Sequence, residues 1–202
     1  MSLYPELDTL SLDKLISRFR GAPVDGKQYA TAYYMEVAHT IRREMGKEGV
    51  TFLKNEFDNV KDVPRLRALI SALAARPANK SLEHRLLSLL KDKRPLIIME
   101  SIDGLRLLKS RRAHGDIKKL FNTRSPFVRG GVLRYMTRLY PDRALPLLVK
   151  AVKDTHYIVR QVAADELGEI GNAKAIFYLR PLLKDKNADV KQAASTALEI
   201  CS

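Results

Sequence analysis

The stretch Asp154-Thr-His-Tyr-Ile-Val-Arg160-Gln-Val-Ala-Ala-Asp-Glu-Leu167-Gly-Glu-Ile170-Gly171 decides the fold. Val159, Val162, Ala163, Leu167 and Ile170 recur at steps of three and four, the spacing of one face of an α-helix. Gly171-Asn172 then supplies a stop, because glycine readily takes the left-handed conformation that closes a helix. A second apolar set, Ile176, Leu179, Leu182 and Leu183, follows at helical spacing. The stretch therefore predicts two antiparallel helices joined by a tight turn.

Moving outward in steps of 31 residues finds the same pattern again. One column reads Leu66, Ile97, Val128, Val159 and Val190. Another reads Ala74, Leu105, Met136, Leu167 and Leu198, and a third Leu86, Ile117, Leu148 and Leu179. Pro64, Pro95 and Pro126 share a phase at helix starts, where the missing N–H would have no intrahelical acceptor. Asp92, Thr123, Asp154 and Asp185 stand just before those starts, as N-terminal turns favour. The position after the first column is basic in four of five steps: Arg67, Ile98, Arg129, Arg160 and Lys191. One hairpin of this kind cannot bury its own apolar stripe, whereas stacked hairpins bury a continuous core. The prediction is an all-α, right-handed α-solenoid (an α-α superhelix) forming a single domain over 1–202.

Residues 1–61 depart from the phase. Helices are expected at about Leu12–Arg20, Gln28–Met45 and Gly49–Phe57, separated by Gly21-Ala22-Pro23 and Gly46. This segment reads as a divergent cap over the exposed apolar end of the repeats at 62–202.

Charge is distributed unevenly. Residues 1–61 hold 9 basic and 9 acidic side chains, while the whole chain has a net charge of +13. From Arg76 to Arg134 the count is 15 basic against 5 acidic. A one-sided excess points to an acidic partner. The clusters Lys91-Asp-Lys93-Arg94 and Lys109-Ser-Arg111-Arg112 through Lys118-Lys119 mark the candidate surface. Binding residues are expected at Lys91, Lys93, Arg94, Arg111, Arg112, Lys118, Lys119, Arg129 and Arg160.

The columns resemble HEAT repeats, and most closely the short HEAT-like units of phycobilisome lyases. Asp154 to Arg160 and Asp185 to Lys191, each followed by Ala-Ala and an apolar helix, carry that resemblance over about 62–202. The resemblance implies HEAT-like helical hairpins and a ladder between stacked repeats, built from an Asp and a basic residue six positions later. Asp154 with Arg160 and Asp185 with Lys191 match it. Ile98 and Thr123 interrupt it around 92–129. In related proteins the basic members also lie near the inner groove.

Chemistry is hard to place. His39, His84, His114 and His156 lack the spacing of metal ligands. Arg129-Gly130-Gly131 is not a phosphate loop, and is expected to mark close packing or a kink. His114 reads as loop, His156 as a turn residue, and Asp165-Glu166 as a solvated outer face. Cys201 has no partner for a disulfide. No catalytic residue, metal or cofactor is expected. Neither a leader peptide nor a membrane span is read, so a cytoplasmic location is expected. The leading expectation is a non-enzymatic scaffold for an acidic protein or peptide. The alternative is nucleic acid, with Phe121, Phe127, Tyr135 and Tyr140 stacking on bases. A bilin lyase-like or DNA glycosylase-like enzyme is a second alternative; the glycosylase reading is weakened because the chain has no tryptophan.

Overall fold

The computed structural model describes residues 3–24, 26–75, 80–171 and 173–201. Among them are twelve α-helices and no strand. The chain divides into two compact units, Met1–Leu108 and Lys109–Ser202. The expected all-α fold of stacked helical hairpins is what each unit shows.

The first unit holds α1 (Leu12–Arg20), α2 (Ala30–Glu44), α3 (Gly46–Asn59), α4 (Val63–Ala74), α5 (Lys80–Leu89) and α6 (Pro95–Leu107). The three expected N-terminal helices are present, with a short 3-10 turn at Lys27–Tyr29 leading into α2. Helix α2 packs on α4, and α4 packs on α6. Rings replace the repeat pattern in the N-terminal core: Phe19 meets Tyr34 edge-on at 5.8 Å and Phe52 at 6.0 Å. Close approach explains Gly104, since a Cβ there would sit 2.8 Å from Leu86 and 3.2 Å from Ile70.

Arg65 fastens α1 to the rest of this unit. Its Nε donates to Phe19 O at 2.7 Å, and its Nη2 to Arg20 O at 2.9 Å and Gly21 O at 2.6 Å. These carbonyls end α1 and have no intrahelical donor. The guanidinium also lies 4.5 Å from the Tyr34 ring centre.

The second unit holds α7 (His114–Lys119), α8 (Pro126–Leu139), α9 (Pro141–Ala151), α10 (Tyr157–Ile170), α11 (Ala175–Leu179) and α12 (Ala188–Cys201). Short 3-10 segments extend α7 through Leu120–Asn122 and α11 through Arg180–Lys184. Helices α8, α10 and α12 pack in succession, and α9 packs against α8 and α10. The apolar columns are the core: Val128, Val159 and Val190 are buried, as are Met136 and Leu167, and Leu148 and Leu179. Gly171 ends α10 at φ 61°, as its left-handed stop requires. Asn172 lies outside the described residues.

Several local expectations change. Helix α7 begins at His114, so that residue is not in a loop; its ring lies 4.4 Å from Tyr140. His156 is a cap rather than a passive turn residue, with Nδ1 accepting from Ile158 N at 3.3 Å. Helix α8 runs unbroken through Gly130-Gly131, and Gly130 faces Val162, which supports close packing over a kink. Of the pair Asp165-Glu166, only Asp165 is exposed. Glu166 keeps 5% of its surface because it turns inward.

Candidate functional site

The basic column is the place to start, since it was expected both to join repeats and to bind. Arg160 is 7% exposed. Its Nε and Nη2 meet Asp185 Oδ2 and Oδ1 at 2.7 and 2.8 Å. Its Nη1 donates to Asp154 O and Thr155 O. Arg129 repeats the arrangement one step earlier, meeting Asp154 at 2.9 and 2.8 Å and donating to Thr123 O and Arg124 O. The carboxylates also serve their own turns: Asp154 accepts from His156 N at 2.8 Å, and Asp185 from Asn187 N at 2.9 Å. Hydrogen bonds from Arg160 hold the Asp185 carboxyl below the usual carboxylate range.

Each rung thus runs from the arginine of one repeat to the aspartate of the next. Asp185 is matched by Arg160, and Lys191 is left exposed. Within the first unit the rung is rebuilt. Arg67 Nε takes Glu100 at 3.0 Å, and Asp92 is claimed by Arg94 at 2.8 Å. The interruption expected at Ile98 and Thr123 is real in the sequence, but Arg129 itself is a full rung. It donates to the Thr123 main chain just as Arg160 donates to that of Asp154.

This sorts the nine candidates. The guanidiniums of Arg129 and Arg160 are engaged in holding repeats together, on carboxylates and main-chain carbonyls. Arg94 is half-buried, with its remaining Nη1 directed at Lys61 O. In the first unit Lys91 and Lys93 are exposed. In the second, Arg111, Arg112, Lys118 and Lys119 are exposed. Arg111 lies 5.4 Å from the Tyr140 ring centre and donates to Leu139 O at 3.2 Å. Lys119 makes a long contact of 3.8 Å with Asp116.

Two further exposed cations belong with these. Lys150 and Lys153 line an open groove of about 450 Å³ with Phe121, Asn122, Arg129 and Thr155. Lys150 Nζ lies 5.6 Å from the Phe121 ring centre. The signal was in the phase: Lys119 to Lys150, and Lys153 to Lys184, are each one repeat apart. A search for local charge clusters passes over such columns.

The base-stacking set does not assemble. Phe121 and Tyr135 are buried, and the Tyr135 hydroxyl donates to Ser110 O at 2.7 Å. Tyr140 supports Arg111 and His114. Only Phe127 of the four is exposed. Among the described residues no cluster of His, Cys, Asp or Glu could hold a metal, and no helix is long and apolar enough to cross a membrane.

Fold and surface together define a helical-repeat protein whose polar ladder is internal and whose lysines face out. Residues 116–199 match the family model for HEAT repeats. No curated protein sequence matches the chain. Among solved structures, a designed armadillo repeat protein in complex with the peptide (KR)4 is similar at TM-score 0.58 and 17% identity, covering 96% of this chain and 100% of that one. The complex of CpcE and CpcF of phycocyanin lyase from Nostoc is similar at TM-score 0.54 and 17% identity, over 93% and 81%. Human deoxyhypusine hydroxylase is similar at TM-score 0.50 and 18% identity, over 94% and 73%. At these identities the likeness concerns the fold.

Proposed function

We propose that this chain is a non-enzymatic binding scaffold that takes up an acidic protein or peptide segment. The observation that carries the reading is the division of labour among its cations. Arginines of the repeat column are held in buried or half-buried ion pairs, while Lys118, Lys119, Lys150 and Lys153 stand exposed. An exposed lysine excess attracts carboxylates and speeds encounter. The similar designed protein holds a peptide, which supports peptide recognition on this kind of fold. That peptide is basic, so the preference proposed here is of opposite sign. The burial of Phe121 and Tyr135 weighs against base stacking.

Titrating the whole chain with a labelled polyglutamate peptide, and separately with single-stranded DNA, at two salt concentrations tests the reading. Saturable binding of the peptide that is lost in Lys118→Glu/Lys119→Glu is expected. Failure to bind any acidic peptide at low salt would overturn it. So would DNA binding that is tighter than peptide binding at both salt levels.

A further inference from the structure

The groove at Lys150 contains an aspartate, yet it is a place for anions. Asp154 lies in its lining, but both its oxygens are already met by Arg129. That pair is close to neutral as seen from the groove, so Lys150 and Lys153 set the field. The next repeat offers a related basic cluster, with Pro181 in place of Lys150. Asp185 is neutralised by Arg160, and the exposed Lys184 and Lys186 stand one repeat beyond Lys153 and Thr155. In the second unit, basic side chains therefore recur in step with the ladder: Lys119 and Lys150 in one column, Lys153 and Lys184 in another.

The ladder also sets the step. Arg129 and Arg160 touch the following repeat directly, so successive repeats are in van der Waals contact and about 10 Å apart, as packed helices are. A peptide in the polyproline II conformation advances about 3.1 Å per residue and returns every third side chain to the same face. Three such residues cover about 9 Å, close to one repeat, whereas two cover only about 6 Å and turn the side chain away.

Resting on the scaffold reading above, we propose that the second unit reads an acidic segment in the polyproline II conformation in fixed register, one carboxylate per repeat, with an acidic side chain at every third residue. The lysine pair Lys150 and Lys153 receives one carboxylate, and Lys184 with Lys186 the next. The intervening residues face away, and their identity matters little. Lysine suits this role, because its flexible stem tolerates small errors of position that a fork-shaped guanidinium would not.

The test uses three labelled peptides of equal length and equal net charge, with glutamates at every third residue, at every second residue, or in one block. Binding to the full chain is followed by fluorescence anisotropy at low and moderate salt. The every-third peptide is expected to bind about tenfold more tightly than the other two. Lys150→Gln/Lys153→Gln is expected to remove that preference while leaving residual charge-driven binding. Circular dichroism of the variant confirms that the helices persist. Equal affinity for all three spacings overturns the register while leaving the acidic-partner reading intact. No binding of any of the three overturns both. A preference for single-stranded DNA over every peptide overturns the choice of partner.

Discussion

Arg160 and Asp185 share two nearly parallel N–H···O contacts across a repeat boundary, at 2.7 and 2.8 Å, and each side chain is only 9% exposed. Breaking a buried pair of this kind leaves one charge without its partner. Arg160→Met is expected to cost about 3–5 kcal/mol in urea unfolding of the whole chain. Arg160→Lys keeps the charge but loses the fork, and is expected to recover only part of that loss.

The same pair gives a pH dependence of known sign. The Asp185 carboxyl is held below its ordinary value when folded. Its contribution is therefore complete above about pH 5 and fades as pH falls through the unfolded value near 4 and below. The acid limb of the melting temperature should be shallower in Arg160→Met than in the parent chain. An unchanged limb would show that other carboxyls govern acid unfolding.

Glu166 is expected to behave in the opposite sense. Burial pushes its carboxyl up, while Arg138 and Arg134 act against that shift. A raised folded value means that ionisation favours the unfolded chain as pH rises through the carboxylate range. Glu166→Gln should raise the melting temperature at pH 7, with the gain vanishing near pH 4. Destabilisation at pH 7 would instead show that the Arg138 attraction outweighs burial.

Glycines offer a packing test within one unit. A Cβ at Gly168 would lie 2.9 Å from Ala197 Cβ and 3.0 Å from Ala197 Cα, neither of which can swing aside. Gly168→Ala is expected to cost about 1–3 kcal/mol. A Cβ at Gly115 meets nothing within 4 Å, and Gly115→Ala in α7 should be neutral or stabilising by up to about 1 kcal/mol. Chemical denaturation of the two variants side by side checks the contrast.

In the first unit, Arg65→Met removes the donors from the end of α1. A loss of about 1–2 kcal/mol is expected, with faster amide exchange in Leu12–Arg20 than elsewhere in the unit. Uniform exchange across the unit would show that α1 does not depend on this cap.

Apolar phase made most of the fold legible in the sequence. Val128, Val159 and Val190 share one column and one buried position, because helical hairpins of equal length must present equivalent residues to equivalent neighbours. Residues 1–61 showed their helices but not their packing, since a core of Phe19, Tyr34 and Phe52 leaves no period to follow. Arg65 was invisible as a cap, because its acceptors are main-chain atoms some 44 to 46 residues away. The surface was read by local density of charge, and density does not separate Arg129, paired with Asp154, from the exposed Lys118. Both are cations in a basic stretch. What distinguishes them is a carboxylate 25 residues later in the chain, and only the stacking of repeats brings it near.

The arginine ladder has a mechanical meaning for the second unit. Each guanidinium grips carbonyls in the turn before its own helix and a carboxylate in the turn after the next, so the interval between turns is clamped from both sides. A surface mounted on such clamps behaves as a stiff ruler rather than a glove. It gives up little conformational freedom when a ligand arrives, which favours tight binding of a matching ligand. It also cannot stretch or shrink to suit a ligand of the wrong pitch. Loosening one clamp should therefore widen what the unit accepts at the same time as it lowers stability.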